Sequence, residues 1–274
     1  MTVRAQQEAG PAAPPSASRA PGSTPAAEAR AVLDRERRRG RYVGVAGLAS
    51  VAAMLAAVAL ASAATSGSAK PRGPGFTDEP INRAQHLDDF HRNAAEHTAS
   101  MGARVLGLVL VAFVGLYLWT LVRHRDRRAA KPWLAWSSLV GPGLLAAATV
   151  FGFVALQDVA DQFVASGPQT TARARELIDD SGALRAASLA DGLTRIAFAA
   201  WLAFLAAAAM RVGLLTRFLG YWGMAAAGSF VLLPIGDAML AGWIGSVAVL
   251  ALGFWPGGRP PAWSSTKPEA AEAF

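Results

Sequence analysis

Between Arg41 and Lys70, between Arg104 and Arg123, and between Lys131 and Asp158 the chain runs for 17 residues or more without an acid or a base. An α-helix rises about 1.5 Å per residue, so each run crosses roughly 30 Å of hydrocarbon. A buried helix of a water-soluble protein is seldom apolar on all sides for that length, which makes lipid the better solvent. Charged residues make up only 16% of the chain, against about 25% in soluble domains, so polar surface for a water-facing globule is short.

The apolar runs predict an all-α integral membrane bundle of about six transmembrane helices, spanning residues 42–64, 101–122, 134–156, 193–210, 219–233 and 238–255. Residues 1–40, rich in Ala, Pro, Ser, Gln and Arg, bury too little to offset their ordering entropy and are expected to be a disordered tail. A short charged helix over Ala26–Arg41, closed by the run Arg35, Arg37, Arg38, Arg39, Arg41, leads into the membrane. Ala61-Ser62-Ala63 resembles a signal-peptide cleavage site, but the long positive region ahead of it favours an uncleaved anchor. The stretch INRAQHLDDFHRNAAEHTAS lacks Gly and Pro and is expected to run as a helix into the second span. Pro142, between Gly141 and Gly143, predicts a kink in the third. An amphipathic helix is expected over Thr170–Leu189. Pro234, Gly236 and Asp237 divide the last apolar region into two short spans or the arms of a re-entrant hairpin. Residues 257–274 form an irregular tail.

Basic residues settle the expected orientation. Lys and Arg number 17 in the N-terminal tail, the Arg123–Lys131 segment, the Arg211–Arg217 turn and the C-terminal tail, against nine on the opposite side. Both termini are therefore expected on the cytoplasmic side of the inner membrane. The formal charge of +7 belongs to this pattern and not to nucleic-acid binding. Lipid is the expected surrounding, with a membrane-protein partner or a second copy as further candidates.

The absences narrow the chemistry. There is no cysteine, which excludes disulfides, thiol catalysis and iron–sulfur ligation. No histidine lies inside a span, so paired imidazole haem ligation is not expected, and neither a P-loop nor G-x-S-x-G occurs. No cofactor is indicated.

The candidate functional residues lie at span ends. Asp158 and Asp161, one helical turn apart, have Arg104 and Arg195 as expected partners, forming a polar vestibule on the outer side. Asp237 marks either a broken-helix binding site or a surface turn. His86, His91, His97 and Asp89 are the metal-binding candidates, although the histidine spacings of five and six do not share one helical face. Gly223 with Ala227, and Ala103 with Gly107, permit close helix contact. These features favour a structural or regulatory membrane subunit. The alternatives are a small-solute or ion transporter using the vestibule, and then a membrane-embedded enzyme using the His-rich loop.

The segments ALQDVADQFVASGPQTTARARELIDD, MRVGLLTRFLGYWG and WPGGRPPAW, in that order from Phe151 onward, resemble an uncharacterised family of actinobacterial multi-pass membrane proteins. That family is similar in layout to bacterial membrane proteins carrying a DUF4386-like domain. The resemblance covers roughly residues 41–263. It implies six spans and carries no activity or functional residue with it.

Overall fold

The computed structural model describes residues 25–66, 83–167, 169–233 and 235–269, with no strand among them. Eight α-helices follow one another: α1 (Pro25–Ser66), α2 (Arg83–Arg92), α3 (Ala94–Arg125), α4 (Pro132–Ala165), α5 (Thr171–Asp180), α6 (Gly182–Arg211), α7 (Arg217–Leu232) and α8 (Gly236–Leu252). A single 3-10 turn, Pro261–Trp263, interrupts the C-terminal segment.

Long helices α1, α3, α4 and α6 each carry an apolar window sufficient to cross a membrane. The shorter α7 and α8, 16 and 17 residues, reach about 25 Å, near the thickness of the hydrocarbon layer. These six form a closed ring: α1 lies against α3 and α8, α3 against α4, α4 against α6, α6 against α7, and α7 against α8. Large apolar side chains such as Leu55, Phe113, Leu139, Val154, Phe204 and Tyr221 are exposed around the outside. An apolar girdle of this kind is unfavourable in water and favourable in lipid. The chain is a helical membrane protein.

The interior is built from small residues that admit large ones. Trp201 of α6 lies against Gly115 of α3, and its Nε1 donates to the Ser138 hydroxyl of α4 at 3.0 Å. Trp243 of α8 covers Gly223 of α7 and donates to the Leu219 carbonyl at 2.9 Å. Along the α1 seam, Ser50 donates to the Gly107 carbonyl at 2.9 Å, and Gly44 and Gly47 lie against Leu252 and Ala248. With no aqueous driving force between helices in lipid, such close approach and interhelical hydrogen bonding supply the association energy. Gly107 and Gly223, singled out by spacing, are both at helix contacts.

Several boundaries depart from expectation because helices continue past the apolar zone. α1 passes through the arginine run without ending, arginine being a good helix former. Residues 25–40 thus belong to this helix, while 1–24 and 67–82 lie outside the described residues. The helix expected to enter span two breaks at Asn93, whose side-chain amide donates to the Ala64 carbonyl at 2.7 Å. Pro142 lies within α4, which remains helical on both sides. The amphipathic segment 170–189 is two helices. Ser181 adopts an extended conformation and its hydroxyl accepts from Leu184 N, capping α6. Asp179 and Asp180 are of the wrong sign for the end of one helix and the right sign for the start of the next.

At the end of the ring that carries the long connections, α2 and α5 pack on the outward extension of α4. Leu87 and Phe90 meet Val159 and Phe163 there in a second, smaller core that also includes Ala174. The opposite end gathers most of the arginines. On α3 the 18 residues between Arg104 and Arg123 carry no charge, and they span about 29 Å, one hydrocarbon thickness.

Candidate functional site

Arg104 and Asp237 meet at the loop end. The Arg104 guanidinium of α3 lies 3.2 Å from the carboxylate in the first turn of α8, and both side chains are half-buried. Asp237 occupies the position where a helix N-terminus favours negative charge. Arg104 also lies on the wall of two cavities. One, of about 120 Å³, runs between α1, α3 and α8 and is lined by Met54, Ala57, Ser100 and Leu108. The other, of about 290 Å³, lies between α3, α4 and α6, against Thr149, Ser188, Asp191 and Arg195. Arg195 is held in that wall by Asp191, one turn back on α6 at 2.6 Å, and lies over the Phe230 ring at 5.2 Å.

This arrangement redistributes the expected cluster. Arg104 and Arg195 line one cavity together, but they do not pair with Asp158 and Asp161. α4 carries Asp158 about 9 Å beyond Gly152, the last α4 residue on the cavity wall, and so out of reach. Asp158 accepts from Gln162 at 3.0 Å, and Asp161 bonds His91 of α2 at 2.7 Å. Asp191 takes the acidic place in the vestibule, and Asp237 belongs to α8 itself rather than to the turn before it, as an interhelical partner of Arg104.

The histidine loop does not assemble a metal centre among the described residues. His91 is engaged by Asp161, His97 stacks on Phe90 with centroids 4.4 Å apart, and the helix break at Asn93 separates the two. His86 is exposed and Asp89 is half-buried on α2.

The most buried charges lie at the other end, where sequence reasoning placed no site. Arg125, at the end of α3, is fully buried and grips Glu36 of α1 with two bonds of 3.1 and 2.9 Å. Its Nε donates to the Ala262 carbonyl at 2.8 Å. His124 Nδ1 lies 2.6 Å from the same Glu36 carboxylate, and the Tyr117 hydroxyl donates to the Glu36 carbonyl. Arg259 stacks on Trp263 and donates to the Leu250 and Ala251 carbonyls. Burial lowers its guanidinium from the ordinary value; Tyr117 opposes this, while Arg37 and Arg41 add to it. Trp263 Nε1 reaches the Leu214 carbonyl at 2.8 Å. The C-terminal segment is thereby fastened across α3, α8 and the α6–α7 turn. The sequence held one hint of this: Glu36 is the single acid within the arginine run.

Among the described residues, every buried side-chain nitrogen and oxygen has a hydrogen-bond partner. The ionic contacts therefore lie in two layers, one at each end of an apolar middle. No curated protein and no solved structure matches the chain. The family model named Domain of unknown function (DUF4386) matches residues 45–255, from the first spanning helix to the end of the last. That match takes in the membrane-spanning part of α1 and all of the other five ring helices, and the chain belongs to the DUF4386 family.

Proposed function

We propose that the protein is a structural or regulatory subunit of the inner membrane, with both termini cytoplasmic, acting through contact with a membrane partner. One observation carries this reading. The middle of the ring is filled by Phe198, Trp201, Leu205 and Trp243, while the ion pairs that join its helices, Arg104–Asp237 and Arg125–Glu36, lie at either end. Proton-coupled carriers generally need an acid or base near the centre of a span. The exposed apolar girdle offers partner helices a surface for packing. A photo-crosslinking residue placed in turn at Leu139, Val154, Phe204 and Tyr221 in native membranes tests the proposal. A discrete protein adduct from one face is expected; lipid adducts alone from every face reject it.

A second reading, transport of a small solute or ion, draws on the vestibule wall shared by Arg104, Asp191 and Arg195. Chloride and sodium flux in proteoliposomes tests it. Flux abolished by Arg195→Gln with folding intact supports transport, and flux unchanged by the substitution rejects this site.

A further inference from the structure

At the basic end, the last turns of α3 and the turn that follows it carry a depression of about 280 Å³ lined by Trp119, Thr120, Arg123, His124 and Arg127. Its two arginines have no acidic partner among the described residues. Arg123 lies over the Trp119 ring, 5.3 Å from its centroid, and the Trp119 Nε1 is tied to the Lys131 carbonyl at 3.2 Å. The nearby acids are committed elsewhere: Glu36 to Arg125 and His124, and Asp126 to the Arg128 backbone N–H at 2.8 Å. The depression therefore presents two free guanidinium groups beside a fixed indole.

Its depth gives the charge a meaning. Arg123 closes the uncharged run of α3 that is one hydrocarbon thickness long, and Trp119 lies one turn inside that boundary. Exposed Trp133 and Trp136 continue an apolar surface into the bilayer from the start of α4. A ligand here meets cations at headgroup level and aromatic surface immediately below. Guanidinium groups match phosphate oxygens through paired N–H donors.

We infer that the face formed by Trp119, Arg123 and Arg127 binds the phosphate headgroup of an anionic phospholipid from the leaflet at the basic end. The arginines hold the phosphodiester, and Trp119 packs against the glycerol and upper acyl chain, while the Thr120 hydroxyl is already donated to the Tyr117 carbonyl at 2.6 Å. This site is separate from the loop-end vestibule and independent of any partner.

Native mass spectrometry of the full-length chain in detergent, with dioleoyl phosphatidylglycerol or dioleoyl phosphatidylcholine at equal concentration, provides the test. Each arginine near a headgroup is worth roughly fivefold in affinity, so a preference for phosphatidylglycerol on the order of tenfold or more is expected. Arg123→Gln with Arg127→Gln should remove that preference, whereas lysine at both positions should retain most of it. Arg37→Gln with Arg38→Gln, in a separate basic depression on α1, should leave it within about twofold, since they lie outside this site. Because Arg123 and Arg127 are exposed, the glutamine variants should stay folded, and unchanged thermal melting checks this. As an independent readout, brominated phosphatidylglycerol should quench fluorescence in the wild type more than in Trp119→Phe. Equal binding of phosphatidylcholine would overturn the inference. So would a preference surviving in the Arg123/Arg127 variant, an equal loss in the α1 variant, equal quenching in Trp119→Phe, or displacement of the lipid by millimolar inorganic phosphate.

Discussion

Arg125 and Glu36, 89 residues apart in sequence, form a two-pronged ion pair in which the guanidinium is wholly withdrawn from solvent. The pair joins the start of the first spanning helix to the end of the second, and through Arg125 Nε it also holds the Ala262 carbonyl. Removing one partner of such a pair leaves the other charged and unsolvated. Arg125→Met should cost about 3–5 kcal/mol, seen as a large fall in thermal midpoint in detergent. Glu36→Gln combined with Arg125→Met should cost less than the sum of the single changes. Strict additivity in that cycle would contradict the coupling.

Gly47 makes the α1–α8 seam close. A methyl group there would lie 2.7 Å from the Ala248 Cβ, an atom that no rotamer change can move aside. Gly47→Ala should destabilise by about 1–3 kcal/mol through overpacking. Gly143→Ala on α4, where an added Cβ meets nothing within 4 Å, should have little effect. Equal melting temperatures for the two variants would show that the seam is looser than described.

At the loop end, the Arg104–Asp237 pair is only half-buried, and water screens it. Arg104→Gln and Asp237→Asn should each lower stability by no more than about 1 kcal/mol. A loss matching that of Arg125→Met would mean that this end is drier than its exposure suggests. The same denaturation measurement decides.

The absence of cysteine makes single-cysteine labelling clean. Asp180→Cys at the end of α5 and Arg128→Cys beyond α3 should react with a membrane-impermeant maleimide from opposite sides. In intact cells the first should label and the second should require permeabilisation, as the positive-inside rule demands. Labelling of both from one side would remove the six-span arrangement.

The spans were legible in the sequence because an uncharged run longer than the bilayer is thick admits few other structures. Their ends were less legible. Hydropathy marks where lipid stops, not where backbone hydrogen bonding stops, so α1 and α4 continue well into polar sequence. The vestibule was partly legible: Arg104 and Arg195 line one cavity, yet their acidic partners are Asp237 and Asp191. Which helix ends neighbour one another is decided by the ring, and no local pattern around Arg104 encodes a contact 133 residues away. The Glu36–Arg125 pair escaped for the opposite reason. A lone acid among arginines reads as solvated surface, and its burial comes from the end of α3, whose Arg125 is in turn held by the C-terminal segment.

Closing the ring through α1 and α8 has a bearing on biosynthesis. During synthesis α1 can find α3 promptly, but its other flank, with Gly44 and Gly47, meets its partner only once α8 is made. Until α8 is made, α1 to α7 thus form an open arc, and a ribosome stalled before α8 would leave that glycine-lined flank available to a foreign helix.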